Sequence, residues 1–120
     1  MVDDRAAILD MVAALESIRR FVSGRTRDAF LDDDVLQSAV LHKFTILGAA
    51  CRRVSNAFRD AHSDIEWHAI TSFRNQIVHE YDDINLDRVW EIIAVDVPAA
   101  IAQLWPLVPQ EPPDGEEIPE

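Results

Sequence analysis

Positive charge is what this sequence lacks most. Its 120 residues hold 11 lysines and arginines against 22 aspartates and glutamates, a formal net charge of -11. Nucleic-acid binding is driven by basic side chains that displace counterions from phosphates, so this balance speaks against broad affinity for RNA or DNA. Cysteine is nearly absent as well: a single Cys51 excludes an intramolecular disulfide and any cysteine-rich zinc site. Three glycines leave no glycine-rich phosphate loop. Uninterrupted apolar runs stop after a few residues, as in Ile92-Ile93-Ala94-Val95, and no membrane span is expected from them. The acidic start, Met1-Val2-Asp3-Asp4-Arg5, has no leader-like apolar run behind it. A soluble cytoplasmic protein, with neither metal nor cofactor, is the expectation.

One domain is natural at this length, and a chain of this size buries roughly two-thirds of its unfolded surface without needing staples. The charge is uneven. Residues 109–120 carry five acids, no base and four prolines, a composition that reads as an acidic tail beside a bundle over residues 1–108. Without that tail, 17 acids face 11 bases, a net of -6.

The rest reads as helices. Ile8, Met11, Val12, Leu15, Ile18 and Val22 recur at steps of three and four behind Asp3 and Asp4, which suit a helix start; Ser23-Gly24 suits its end. A polar link with Arg25 and Arg27 leads to Asp32-Asp33-Asp34, read as a cap cluster rather than a metal site. A long second helix is expected over about 35–58, through Leu36, Val40, Phe44, Leu47, Cys51, Val54 and Phe58. Its small patch Gly48-Ala49-Ala50 would let another helix approach closely. A third helix opens at Ser63 to Ile65 and closes near His79-Glu80. A fourth starts at Leu86 or Asp87, is bent or restarted by Pro98 and ends at Pro106. The expected fold is all-α, an antiparallel bundle of four to five helices. Trp67, Trp90 and Trp105 read as core or interface. His42-Lys43 reads as a solvated or interface pair, and the histidines and acids of residues 62–68 as a capped helix start.

One polar group interrupts this pattern: Arg74-Asn75-Gln76-Ile77-Val78-His79-Glu80-Tyr81, at the end of the third helix. Arg74 and His79 lie ~140° apart around the axis and ~7.5 Å apart along it, and a long arginine can swing back so that both tips converge near the helix end. An arginine fork holds phosphate oxygens at any physiological pH, and a histidine moves protons near neutrality. RNA brings its own nucleophile, the 2'-hydroxyl, so a base for that proton and an arginine for the charged transition state suffice for cleavage without a metal. The products would be a 2',3'-cyclic phosphate and a 5'-hydroxyl. The same residues also fit an ordinary helix end, with Arg74 paired to Glu80, Asp82 or Asp83.

The run Arg74 to Tyr81 resembles the R-x4-H-x-Y motif of the HepT-like toxins, a branch of the HEPN ribonuclease superfamily. Ile46-Leu47-Gly48-Ala49-Ala50, the approach Ile65 to Ile70 and the follow-on Asp83 to Trp90 are similar to that family in order and spacing, over about residues 5–107. The resemblance implies a homodimeric bundle whose two motifs line one cleft. It implies a metal-independent endoribonuclease, cutting tRNA or mRNA as the toxin of a type VII toxin–antitoxin module. The implied partner is an MntA-like nucleotidyltransferase antitoxin that AMPylates the motif tyrosine. Carried over by residue, Arg74 and His79 are catalytic, Asn75 supports them and Tyr81 is modified; Lys43, Arg52 and Arg53 are the candidate RNA-binding residues. The sequence departs from the family's I-G-E-A pattern, with Ala49 where many relatives carry an acid. A second reading is a non-catalytic helical partner of a minimal nucleotidyltransferase, with Arg74 and His79 holding a nucleotide phosphate.

Overall fold

The computed structural model describes residues 3–108, all of whose regular elements are helical. The acidic tail expected over 109–120 lies outside the described residues.

Helix α1 (Asp4–Val22) starts where Asp3 accepts the Ala6 N–H at 3.2 Å. It stops at Ser23, and Gly24 turns the chain at φ +74, a conformation that glycine takes without strain. The stretch read as a polar link contains a short helix, α2 (Arg27–Leu31), capped by Thr26. Phe30 secures it: the ring is fully buried, with its centroid 5.4 Å from that of Trp90. Helix α3 (Asp34–Arg52) follows, with Asp33 of the acidic triplet accepting the Leu36 N–H at 3.0 Å. That bond, then Arg25, holds the Asp33 carboxyl below its ordinary range.

The helix expected over 35–58 breaks early. Apolar spacing continues through Val54 and Phe58, but Ser55 caps a new helix, α4 (Asn56–Ala61), by accepting the Phe58 N–H. Asp4 of α1 accepts both the Ser55 N–H at 2.7 Å and its hydroxyl at 2.8 Å. A cap competes with helix continuation, and here a tertiary carboxylate decides the outcome. Helix α5 (Trp67–His79) ends at the expected place, but Glu66 at its N-cap position makes no side-chain cap bond, so the capping expected of this segment is not seen there.

Asn85 caps α6 (Leu86–Glu91), which runs through a π-helical turn (Ile92–Asp96) into α7 (Val97–Leu104). Pro98 explains the widening. It has no N–H to donate and its ring pushes away the carbonyl four residues back. The Val97 N–H instead reaches the Ile92 carbonyl, five residues back. A 3-10 turn (Trp105–Leu107) containing Pro106 closes this fourth rod.

Contacts between the ends fix the directions. The start of α1 meets the end of α3 through Asp4–Ser55 and Asp10–Arg53. The end of α3 meets the start of α5 where Cys51 Sγ faces the Trp67 carbonyl. Asp87 of α6 pairs with Arg27, just past the end of α1. Gln103 near the end of α7 donates to the Asp64 carbonyl before α5. Neighbouring rods are therefore antiparallel. α3 packs between α1 and α5, and α1 also carries the fourth rod, giving a slab of 53 × 31 × 21 Å.

The core joins Ile8, Met11, Leu15 and Ile18 of α1 to Val40, Phe44, Leu47 and Cys51 of α3, and to Val89, Val97 and Leu104 of the fourth rod. The fourth rod, Leu86–Leu107, is apolar enough by length and composition to cross a bilayer, which short-run inspection did not anticipate. One of its faces packs into the bundle through these residues. An apolar groove of about 510 Å³ opens between α5 and this rod; Arg74 and His79 do not line it.

Candidate active site

The site is built from a contact that only glycine allows. Arg74 lies on α5 where that helix crosses α3, and a Cβ placed on Gly48 would overlap Arg74 Cβ and Cγ. The small patch of α3 thus accommodates the arginine's stem. The clamp fixes the root of the side chain and shuts its Nε away from solvent, with no hydrogen-bond partner. The far end remains available, with Nη1 donating to Asn75 Oδ1 at 3.2 Å.

Among the described residues, Arg74 forms no ion pair, and the pairing with Glu80, Asp82 or Asp83 that an ordinary helix end would use is not made. Burying part of an unpaired cation is costly, so such a charge is maintained only by a rigid surround. Ala49 is exposed and contributes no carboxylate, so the amide oxygen of Asn75 is the acceptor next to the guanidinium.

His79 is the last residue of α5, exposed, with no side-chain hydrogen bond among the described residues. Tyr81 opens the following 3-10 turn (Tyr81–Asp83). Its ring is 48% exposed, and its hydroxyl donates to Ser38 Oγ at 3.3 Å, tying the end of α5 back to the start of α3. Arg74, Asn75 and His79 thus lie in the last two turns of α5, Arg74 and His79 ~140° apart around its axis, and Tyr81 follows in the 3-10 turn. Arg52 is exposed one helical turn beyond Gly48 and is free of ion pairs among the described residues. Arg53 is committed to Asp10 at 2.7 Å, and Lys43 lies ~140° around α3 from Gly48, the same turn that separates His79 from Arg74 on α5. By helical register Arg52 is the sequence-predicted RNA-binding residue nearest the Gly48–Arg74 contact, and Lys43 and Arg53 lie to its flanks.

No group of three or more histidines, cysteines or acids among the described residues could hold a metal ion. Cys51 is fully buried, and burial pushes its thiol up to about 11, so it is not a nucleophile. Sequence reasoning missed Ser38, His42 and Thr45, which lie beside Tyr81. The available signal was their spacing of four and three along α3, the polar counterpart of a helical stripe.

Residues 11–105 match the family model described as "Ribonuclease HepT-like". A Methanocaldococcus jannaschii protein named "Putative RNase" is 28% identical over 102 residues, 85% of this chain and 84% of its own. A Caldanaerobacter subterraneus protein with the same designation is 30% identical over 90 residues, 75% of this chain and 80% of its own. A Thermococcus cleftensis protein named "Probable ribonuclease HepT" is 28% identical over 90 residues, 75% and 82% of the two chains. No solved structure matches the chain.

Proposed function

Because the chain belongs to the HepT-like ribonuclease family, we propose that it is a metal-independent endoribonuclease with Arg74 and His79 as its catalytic residues. The observation that carries this reading is the clamped, unpaired Arg74 five residues from an exposed, unpartnered His79. Arg74 takes a non-bridging phosphate oxygen and stabilises the charge that builds in the pentavalent transition state. His79 removes the 2'-hydroxyl proton as that oxygen attacks phosphorus. The P–O5' bond breaks, giving a 2',3'-cyclic phosphate and a 5'-hydroxyl. Asn75 aims the guanidinium.

This step needs a base at the 2'-hydroxyl and an acid at the leaving 5'-oxygen. One chain brings one His79 to the site. A twofold-related second copy would supply the other imidazole and double the arginines, which supports a homodimer with a shared cleft. Lys43, Arg52 and Arg53 are the further RNA contacts of that reading. The biological role we propose is the toxin of a type VII module acting on tRNA or mRNA in the cytoplasm. An MntA-like nucleotidyltransferase neutralises it by AMPylating Tyr81, whose half-exposed ring leaves the hydroxyl region approachable. A phosphate-bearing group there repels substrate phosphates.

The test is RNA cleavage by purified protein in EDTA. Wild type should cut, leaving cyclic phosphate ends, while Arg74→Ala and His79→Ala should lose activity by about 10²-fold or more. Equal cutting by both variants removes these residues from the reaction. The absence of acid at Ala49 favours one other outcome. No cutting by wild type, with tight nucleotide or nucleotidyltransferase binding, would make the chain a regulatory partner. Mass spectrometry after co-expression with the neighbouring nucleotidyltransferase should show added AMP on Tyr81, and modification elsewhere removes the role given to that residue.

A further inference from the structure

Between α3 and the end of α5 lies a groove of about 330 Å³, near the lower end of the range for small-molecule sites. Leu41, Ile77 and Val78 make its apolar wall. Three polar side chains meet them: Ser38, His42 and Thr45, successive members of one stripe on α3. Tyr81 closes the side, its ring held by the bond to Ser38. The His42 ring is exposed and makes no hydrogen bond among the described residues. The Thr45 hydroxyl donates to the Leu41 carbonyl, which leaves its oxygen free to accept. Val78, one turn beyond Arg74 on α5, is exposed although apolar.

These are the parts that recognise an unstacked base: an aromatic face, an apolar floor, and donors and acceptors for a ring edge. They stand ~6 Å along α5 from the arginine that would hold the phosphate. We propose that this groove is a nucleobase pocket, in which the base of the nucleotide whose phosphate lies at Arg74 stacks on Tyr81 and hydrogen-bonds His42 and Thr45. The placement of the phosphate rests on the site reading above. The groove gives an acidic protein a way to hold RNA that does not depend on many phosphate contacts, and it makes His42 and Thr45 determinants of which base is accepted.

The test uses full-length protein with isotopically labelled histidine, titrated with adenosine, cytidine, guanosine and uridine 3'-monophosphates and, separately, with inorganic phosphate. Nucleotides should shift the His42 ring signals saturably and with unequal affinity among the four bases. Phosphate should shift His79 and leave His42 unmoved. Thr45→Trp fills the groove and should weaken nucleotide binding about tenfold, with the phosphate response at His79 kept. His42→Ala tests the same point without adding bulk. Tyr81→Phe keeps the stacking face and should bind nucleotide nearly as wild type, whereas Tyr81→Ala should not. Equal affinity for nucleotide and phosphate, or a silent His42, overturns the pocket even if RNA is cut. A base-dependent His42 response in a protein that cuts no RNA upholds the pocket and rejects the ribonuclease reading instead.

Discussion

Gly48 shows how one absent methyl group positions a functional side chain. Its missing Cβ is the space occupied by the Arg74 stem, so Gly48→Ala must push α5 away from α3 or drive the arginine off its rotamer. The expected cost is about 1–3 kcal/mol of stability, read as a lower midpoint in thermal denaturation. RNA cleavage should fall further than stability explains, because the guanidinium is displaced. Unchanged melting and unchanged cleavage would mean that the contact has no positioning role. Cys51 makes a contrasting case, since it has chemistry it cannot use. Its raised thiol should react slowly with a disulfide reagent at pH 8 when folded and quickly in urea. The sign of its pH effect follows. Below the unfolded thiol's value of ~8.5 both states are protonated and the group has no differential effect. From there to about 11 the unfolded chain ionises while the folded one resists. Stability therefore declines as pH rises, and Cys51→Ala should flatten that part of the profile in denaturant titrations.

At the level of the elements, caps decide what periodicity leaves open. The first helix was legible almost to its ends, because Asp3, the apolar stripe from Ile8 to Ile18 and Gly24 all agree. The second was not. Its apolar spacing runs on past Arg52, but Ser55 is bonded on one side to Phe58 and on the other to Asp4, and the chain breaks there. Ser55→Ala should lower stability by about 1 kcal/mol and loosen the junction of α1, α3 and α4. Hydrogen exchange of the Phe58 amide should quicken selectively, and exchange that rises evenly over the chain would show that the serine is not a local cap. α2 was hidden because five residues offer too short a window for a period; Phe30 reveals its purpose only when Trp90 arrives from another helix. Pro98 announced a disturbance in the fourth rod, but the form it takes, a π-helical turn, depends on keeping Ile93 and Val97 in the core before the proline and Ile101 after it.

At the scale of the whole molecule, the question is how an acidic protein handles RNA. Five acids lie in residues 109–120, and the basic groups on the Arg74 face are few but unpaired. If two copies share a cleft, their two imidazoles act together. Wild-type chains co-refolded with an excess of His79→Ala form heterodimers that hold both arginines but a single His79, so cleavage per wild-type chain should drop sharply on co-refolding. Assays of the mixture before and after co-refolding measure this directly. Unchanged cleavage per wild-type chain alongside demonstrated heterodimers would show that one copy suffices.

The sequence by itself determined the helical class, the four rods, the end of α5 at His79 and the grouping of Arg74, Asn75, His79 and Tyr81. All of these follow from local spacing and from properties that neighbouring residues share along one helix. Tertiary structure decided that Gly48 accommodates Arg74, that Glu80, Asp82 and Asp83 leave its charge alone, that Ser55 breaks the long helix, and that His42 shares a groove with Tyr81. Each of these is a contact between residues distant in sequence or a choice among rotamers. No local pattern encodes it, because the energy that selects it exists only once the helices have packed.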